Sequence, residues 1–131
     1  MVKINGIHHV AIKANGEEQF KKTIAFYKDI LGLPLIRRWK KGGALCAMLD
    51  TGAGILELFS NADSEPLLGP IRHIAFSVES VDDCIEAVRA AGYEITVEPK
   101  DVDIPSNPAY PIRVGFCIGA AGEEVEFFSE R

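Results

Sequence analysis

Cysteine is scarce in this chain and shows no pairing pattern. There are three, Cys46, Cys84 and Cys117, widely spaced and with no C-x-x-C. That excludes a disulfide frame and a zinc knuckle, and it reads as reduced, mostly buried thiols of a cytoplasmic protein. Positive charge is also short. Lys and Arg number 14 against 19 Asp and Glu, a net charge of −5, which argues against a nucleic-acid partner or an anionic membrane surface. No basic-then-apolar leader opens the sequence, and no apolar run approaches membrane-spanning length, so no membrane partner is expected. What is present is ordinary: 131 residues, 47% apolar and 25% charged, enough for one domain with a real core.

The informative feature is an internal repeat. Ile7-His8-His9-Val10-Ala11-Ile12 returns as Ile71-Arg72-His73-Ile74-Ala75-Phe76. Superposing the two pairs His9 with His73, and His8 with Arg72. Behind each copy lies a second repeat, Ile55-Leu56-Glu57-Leu58-Phe59-Ser60 and Glu124-Val125-Glu126-Phe127-Phe128-Ser129, which pairs Glu57 with Glu126. Each half therefore carries one histidine and one glutamate in strand-like runs.

Taken in order, residues 4–13 alternate as a strand, and Asn15 is placed to cap a helix. Phe20, Ile24, Tyr27 and Leu31 recur at helical spacing, with Glu17 and Glu18 in the first turn and Gly32 then Pro34 as the stop. Strands are expected at 33–41, 44–50 and 55–59, with Gly42-Gly43 as a tight hairpin turn. Residues 61–70 have linker composition. The second half repeats the order: a strand at 71–78, a helix opened by Ser80 and Asp83 as a capping box and carrying Val81, Cys84, Ile85 and Val88, then strands at 93–98, 112–118 and 124–129. Pro99, Pro105, Pro108 and Pro111 make 99–111 an irregular loop, equally a candidate lid or a plain surface connection. Module one spans about 1–60 and module two about 71–131, each βαβββ. The class is α+β: two tandem modules forming a curved, mostly antiparallel sheet, helices on its outer face.

Strand alternation assigns the faces. Val10 and Ile12, Leu56 and Leu58, Ile74 and Phe76, Val125 and Phe127 form the apolar set that the helices cover. His9, Glu57, His73 and Glu126 fall on the other side. Any one of them alone reads as a core or solvent-facing side chain, but four at matched places in two repeats do not arise easily by chance. Burying two carboxylates without partners would cost several kcal/mol, and one divalent cation removes that cost. Imidazole with carboxylate suits zinc, nickel, cobalt, iron or manganese. His8 shares the side of Val10 and reads as a packed or edge histidine. Arg113, of opposite parity to Ile112, Val114 and Phe116, and Arg37 or Arg38 are candidate anchors for a substrate carboxylate.

Four stretches carry a family resemblance over nearly the whole chain: Ile7-His8-His9-Val10-Ala11-Ile12, Ala25-Phe26-Tyr27-Lys28-Asp29-Ile30-Leu31-Gly32-Leu33, Arg72-His73-Ile74-Ala75-Phe76 and Gly122-Glu123-Glu124-Val125-Glu126-Phe127. The sequence resembles the vicinal-oxygen-chelate superfamily of glyoxalase I, fosfomycin-modifying thiol transferases, methylmalonyl-CoA epimerase and extradiol dioxygenases. His9, Glu57, His73 and Glu126 look like the His/Glu/His/Glu set of bacterial-type glyoxalase I. The thiol transferases typically lack a glutamate matching Glu57, and the epimerase typically has glutamine there. The resemblance implies one vicinal-oxygen-chelate domain over 1–131. It implies one divalent metal per site, nickel, zinc or cobalt first, manganese or iron next. It also implies a small-molecule hemithioacetal substrate, a homodimer, and Glu126 as the base with Glu57 sharing the role by pseudo-symmetry. An epimerase, a thiol transferase or a metal-free small-molecule binding protein are the other readings.

Overall fold

Strand pairing sets the architecture. The computed structural model describes residues 3, 5, 7–63 and 73–131. The chain divides into two compact units, Met1–Pro66 and Leu67–Arg131. The first contains β1 (His9–Lys13), α1 (Gly16–Ala25), a π-helical turn over Phe26–Ile30, β2 (Leu35–Lys41), β3 (Ala44–Asp50) and β4 (Ile55–Phe59). The second contains β5 (Ile74–Ser77), α2 (Val81–Ala90), β6 (Ile95–Ile104), β7 (Tyr110–Ile118) and β8 (Glu124–Glu130). Each unit is an open four-stranded sheet, ordered β1-β4-β3-β2 and β5-β8-β7-β6. In each, the first strand lies parallel to the last and the other pairs are antiparallel. This is the α+β, twice-βαβββ arrangement that the repeat implies.

The local signals explain most boundaries. Gly42 and Gly43 both take positive φ, 56° and 84°, the signature of the type I′ turn joining β2 to β3. Ser80 caps α2, its Oγ accepting from the Asp83 amide at 3.1 Å. Asn15 occupies the cap position of α1 without a side-chain cap bond. Instead the Gln19 side chain reaches back to accept from the Asn15 amide. The first helix ends in the π-turn, where the Leu31 amide donates to the Phe26 carbonyl at 3.1 Å, and Gly32 leaves it at φ 77°.

Each helix covers one side of its own sheet. Phe20, Phe26 and Tyr27 are fully buried with Leu49, Leu56 and Leu58; Val81, Ile85 and Val88 are fully buried with Val125 and Phe127. Each such side chain contributes roughly 1.5–3 kcal/mol. Cys46 and Cys117 are buried and all three thiols are free; burial pushes the Cys117 thiol up to about 12. No helix among the described residues is long and apolar enough to cross a membrane.

Two expectations need correction. β1 and β5 are shorter than the alternation suggested, and the expected linker at 61–70 and strand start at 71–72 lie largely outside the described residues. The irregular loop at 99–111 is mostly strand: β6 runs to Ile104 and β7 starts at Tyr110. The prolines mislead because of where they sit. β6 is an edge strand, and its pairing skips between Val97 and Lys100, so Pro99 occupies a bulge where no ladder donor is needed. Pro111 lies near the start of β7, opposite Asp103. The connection left is residues 105–109, held by Ser106 donating to the Pro108 carbonyl at 2.9 Å.

Candidate functional site

Both sheets have a side that their helix does not cover. Parallel pairing of β1 with β4 sets Ala11 beside Glu57, and His9, two residues before Ala11, projects the same way. His9 Nε2 stands 3.6 Å from Glu57 Oε1. In the second unit Ala75 pairs with Glu126, and His73 Nε2 stands 3.4 Å from Glu126 Oε2. The environments match as well as the distances. Both glutamates are 9% exposed, and the two imidazoles are 42% and 41% exposed. Small residues, Ala11 and Ala75, flank each glutamate on one strand. On the other neighbouring strand lie Met48 and Phe116, and the Phe116 ring packs edge-on against His73 with centroids 5.6 Å apart.

These separations exceed an ordinary hydrogen bond, which ends near ~3.2 Å. Donors sharing one ion at ~2.0–2.2 Å lie roughly 3–3.4 Å apart in tetrahedral or octahedral arrangement. Each pair therefore has the donor chemistry and nearly the spacing to give two neighbouring ligands to a divalent cation. Among the described residues no three His, Cys, Asp or Glu side chains gather to hold an ion. His9 comes together with Glu57, and His73 with Glu126.

Electrostatics singles out Glu126. Burial pushes its carboxyl above the usual carboxylate range and Glu124 adds to this, while His73 pulls the other way. Strand register puts Cys46, Lys41 and Glu57 on one side of the first sheet, and the Cys46 thiol is raised, first by burial and then by Glu57, with Lys41 opposing. Sequence reasoning missed the role of His8. Its Nδ1 lies 3.0 Å from His9 Nδ1 and the rings meet edge to face, so His8 engages the nitrogen of His9 that does not face Glu57. The adjacent His-His pair was the available signal.

The family model of the Glyoxalase/Bleomycin resistance protein/Dioxygenase superfamily matches residues 6–106. The chain belongs to that superfamily. The uncharacterized protein YwkD of Bacillus subtilis (strain 168) is 30% identical over 99 residues, covering 70% of this chain and 75% of YwkD. The crystal structure of SMU.1112c aligns over 96% of this chain and 99% of its own, with TM-score 0.77 and 24% identity. The trypanothione-dependent glyoxalase I of Leishmania major aligns over 97% of this chain and 88% of its own, with TM-score 0.75 and 21% identity. The last two likenesses are of fold.

For this glyoxalase-superfamily member the two arginine expectations separate. Arg113 does not share the side of His73 and Glu126. It has the parity of Gly115, where an added Cβ would meet Ile85 at 2.8 Å, so it points to the α2 side. There it donates to both carboxylate oxygens of Asp82 at 2.7 and 2.8 Å and to Asp101 at 3.0 Å. Two acids hold it, and substrate anchoring gives way to fastening α2 onto the sheet. Arg37 lies opposite Met48, which lies opposite Glu57, so Arg37 does share the side of the first histidine–glutamate pair.

Proposed function

We propose that this protein is a metal-dependent isomerase of the glyoxalase I type. It would convert the hemithioacetal of a 2-oxoaldehyde and a thiol into a 2-hydroxyacyl thioester. The observation that carries this reading is the duplicated histidine–glutamate pair, each glutamate buried, each imidazole nitrogen open to a second contact. His9, Glu57, His73 and Glu126 would together hold one divalent cation, with nickel, zinc and cobalt suited first and manganese and iron next. When bound, such a cation supplies Lewis-acid polarisation of the two adjacent substrate oxygens.

The remaining work belongs to the chain. Glu126 takes a proton from the carbon bearing sulfur and returns it to the neighbouring carbon, while the hydroxyl proton passes between the two oxygens. It is placed for this as a buried carboxylate on the open side of the second sheet, and positioned carboxylates are common general bases. Glu57, in the matching place, shares the role by pseudo-symmetry. His73, with Nε2 3.4 Å from Glu126 Oε2, would share the cation with the base and fix its position. A homodimer is what the superfamily resemblance suggests, and the three free thiols suit a reducing cytoplasm.

The direct test is thioester formation from methylglyoxal hemithioacetals by protein reloaded in turn with nickel, zinc, cobalt and manganese. Metal-dependent accumulation of the thioester supports the reading. Racemisation of an acyl-CoA, or addition of a thiol to an epoxide, without thioester formation would move the protein to another activity of the superfamily.

A further inference from the structure

We infer that Glu124 is a further determinant of cation binding: a carboxylate level with His73, outside the ligand set, whose charge strengthens the hold on the divalent ion. The inference rests on the cation of the proposed function and is independent of the isomerase chemistry.

The two sheets match rung by rung. Ala11, Glu57 and Met48 stand side by side across β1, β4 and β3, and Ala75, Glu126 and Phe116 across β5, β8 and β7. The edge strands share a bulge as well, between Leu35 and Arg37 on β2 and between Ile95 and Val97 on β6. Two residues earlier on β4 and β8, beside the histidine, the match breaks. In the first unit His9 pairs with Ile55, and Ile55 with Asp50. In the second, Ile74 pairs with Val125, so His73 falls level with Glu124, and Glu124 pairs with Ile118. Ile55 and Glu124 hold the same place, each half-buried at the head of its strand and followed by three buried residues. The repeat fills that place with isoleucine once and with a carboxylate the second time.

Glu124 has the side and the reach to act on a cation. Alternate residues of a strand project from one side, so Glu124 shares the open side with Glu126 and His73. The step from Glu124 to Glu126 is roughly 7 Å, and the charge of Glu124 is felt at the Glu126 carboxyl. That charge has no partner of its own. Among the described residues Glu124 makes no ion pair or hydrogen bond through its side chain, whereas Glu98, Asp82, Asp101 and Asp103 are each held by an arginine. Neighbouring Glu123 is taken up by the turn before β8, accepting from the Ala121 amide at 3.0 Å. The acid on the matching rung of the first unit is Asp50, one strand further from its histidine, and its Oδ1 accepts from the Gly52 amide at 2.7 Å. Lys100 shares the open side of the second sheet, but it lies opposite Val114 and so level with Phe128, two strands away and four residues beyond Glu124. Because His73, Glu124 and Glu126 do not gather as a three-ligand group, Glu124 works through its charge and leaves ligation to the other two.

The test titrates chelator-stripped protein with nickel and with zinc ions by calorimetry at low ionic strength. Glu124→Gln keeps the shape and removes the charge; Glu124→Asp shortens the side chain and keeps the charge. A unit charge acting on a divalent ion over about 7 Å of water is worth roughly sevenfold in affinity. Glu124→Gln should weaken binding by about that factor, the loss shrinking as salt is raised, and Glu124→Asp should stay near wild type. Glu130→Gln removes the same charge from the same side of β8, roughly 20 Å along the strand, and should change little. Wild-type affinity in Glu124→Gln, or an equal loss in Glu124→Asp or Glu130→Gln, overturns the inference and leaves the proposed function standing. A wild type that takes up neither ion overturns both. Turnover does not enter the measurement, so a protein that binds the ion without isomerase activity loses the proposed function while the same variants still decide the role of Glu124.

Discussion

A carboxylate drawn into a protein needs either a partner for its charge or a use for its proton. Glu126 has both: His73 stands 3.4 Å away, and burial holds its carboxyl above the usual range. Glu126→Gln keeps the shape and one oxygen donor but removes the base. The expected outcome is a loss of roughly 10²–10⁴-fold in kcat with metal binding still measurable by calorimetry; near wild-type turnover would reject the assignment. His8 belongs to the same scale. It engages His9 Nδ1 at 3.0 Å and so fixes the ring that presents Nε2 to Glu57. Such supporting contacts are typically worth about 10–100-fold in metal affinity. His8→Ala should weaken the titrated metal by that factor without unfolding the protein, and an unchanged affinity would make His8 a bystander. That His9 stands beside Glu57 and His73 beside Glu126 was legible because alternation and repetition act together. His8 was not, because parity assigns a residue to a side of a strand and says nothing of a ring bending back to its neighbour.

Elements carry the next set of consequences. α2 packs so closely on β7 that a Cβ at Gly115 would meet Ile85 at 2.8 Å and Val81 at 3.2 Å. Gly115→Val should destabilise the second unit by about 1–3 kcal/mol, as overpacking does, read from the denaturant midpoint. No shift would mean that α2 moves aside freely. The same helix is tied down by Asp82 and Arg113. The guanidinium holds the Asp82 carboxyl below its ordinary value of 3.8, so this contact contributes fully above pH 3.8 and is lost as pH falls through the lower, folded-state value. Asp82→Asn should therefore lower stability at neutral pH slightly and flatten the loss on acidification below pH 3.8; parallel acid-unfolding curves for variant and wild type would contradict it. The pair is surface-exposed, so the effect is small. At this scale the sequence was partly misleading. Prolines announced a loop at 99–111, but an edge strand with a bulge accommodates Pro99, and β6 continues. Arg113 was assigned by counting parity from Ile112. The alternation held, yet the side taken for the site proved to be the helix side, because Phe116 rather than Arg113 packs against His73.

For the whole molecule, the repeat is the central fact. Two βαβββ units, with the same sheet order, the same bulge and the same rung, each present one histidine beside one buried glutamate. The fold was legible because helix stops and alternating strands recur in both halves, so each half corroborated the other, and Gly42-Gly43 marked the first hairpin. The bulge between Leu35 and Arg37 was not legible, since one added residue in a strand leaves no compositional mark. The proposed activity requires the two pairs to serve a single ion, and metal stoichiometry tests that most directly. Chelator-stripped protein would be titrated with nickel and with zinc by calorimetry, His73→Ala alongside. One tight site per chain, lost in His73→Ala, is the predicted result. No saturable site, or two independent weak sites of which His73→Ala removes only one, would contradict it.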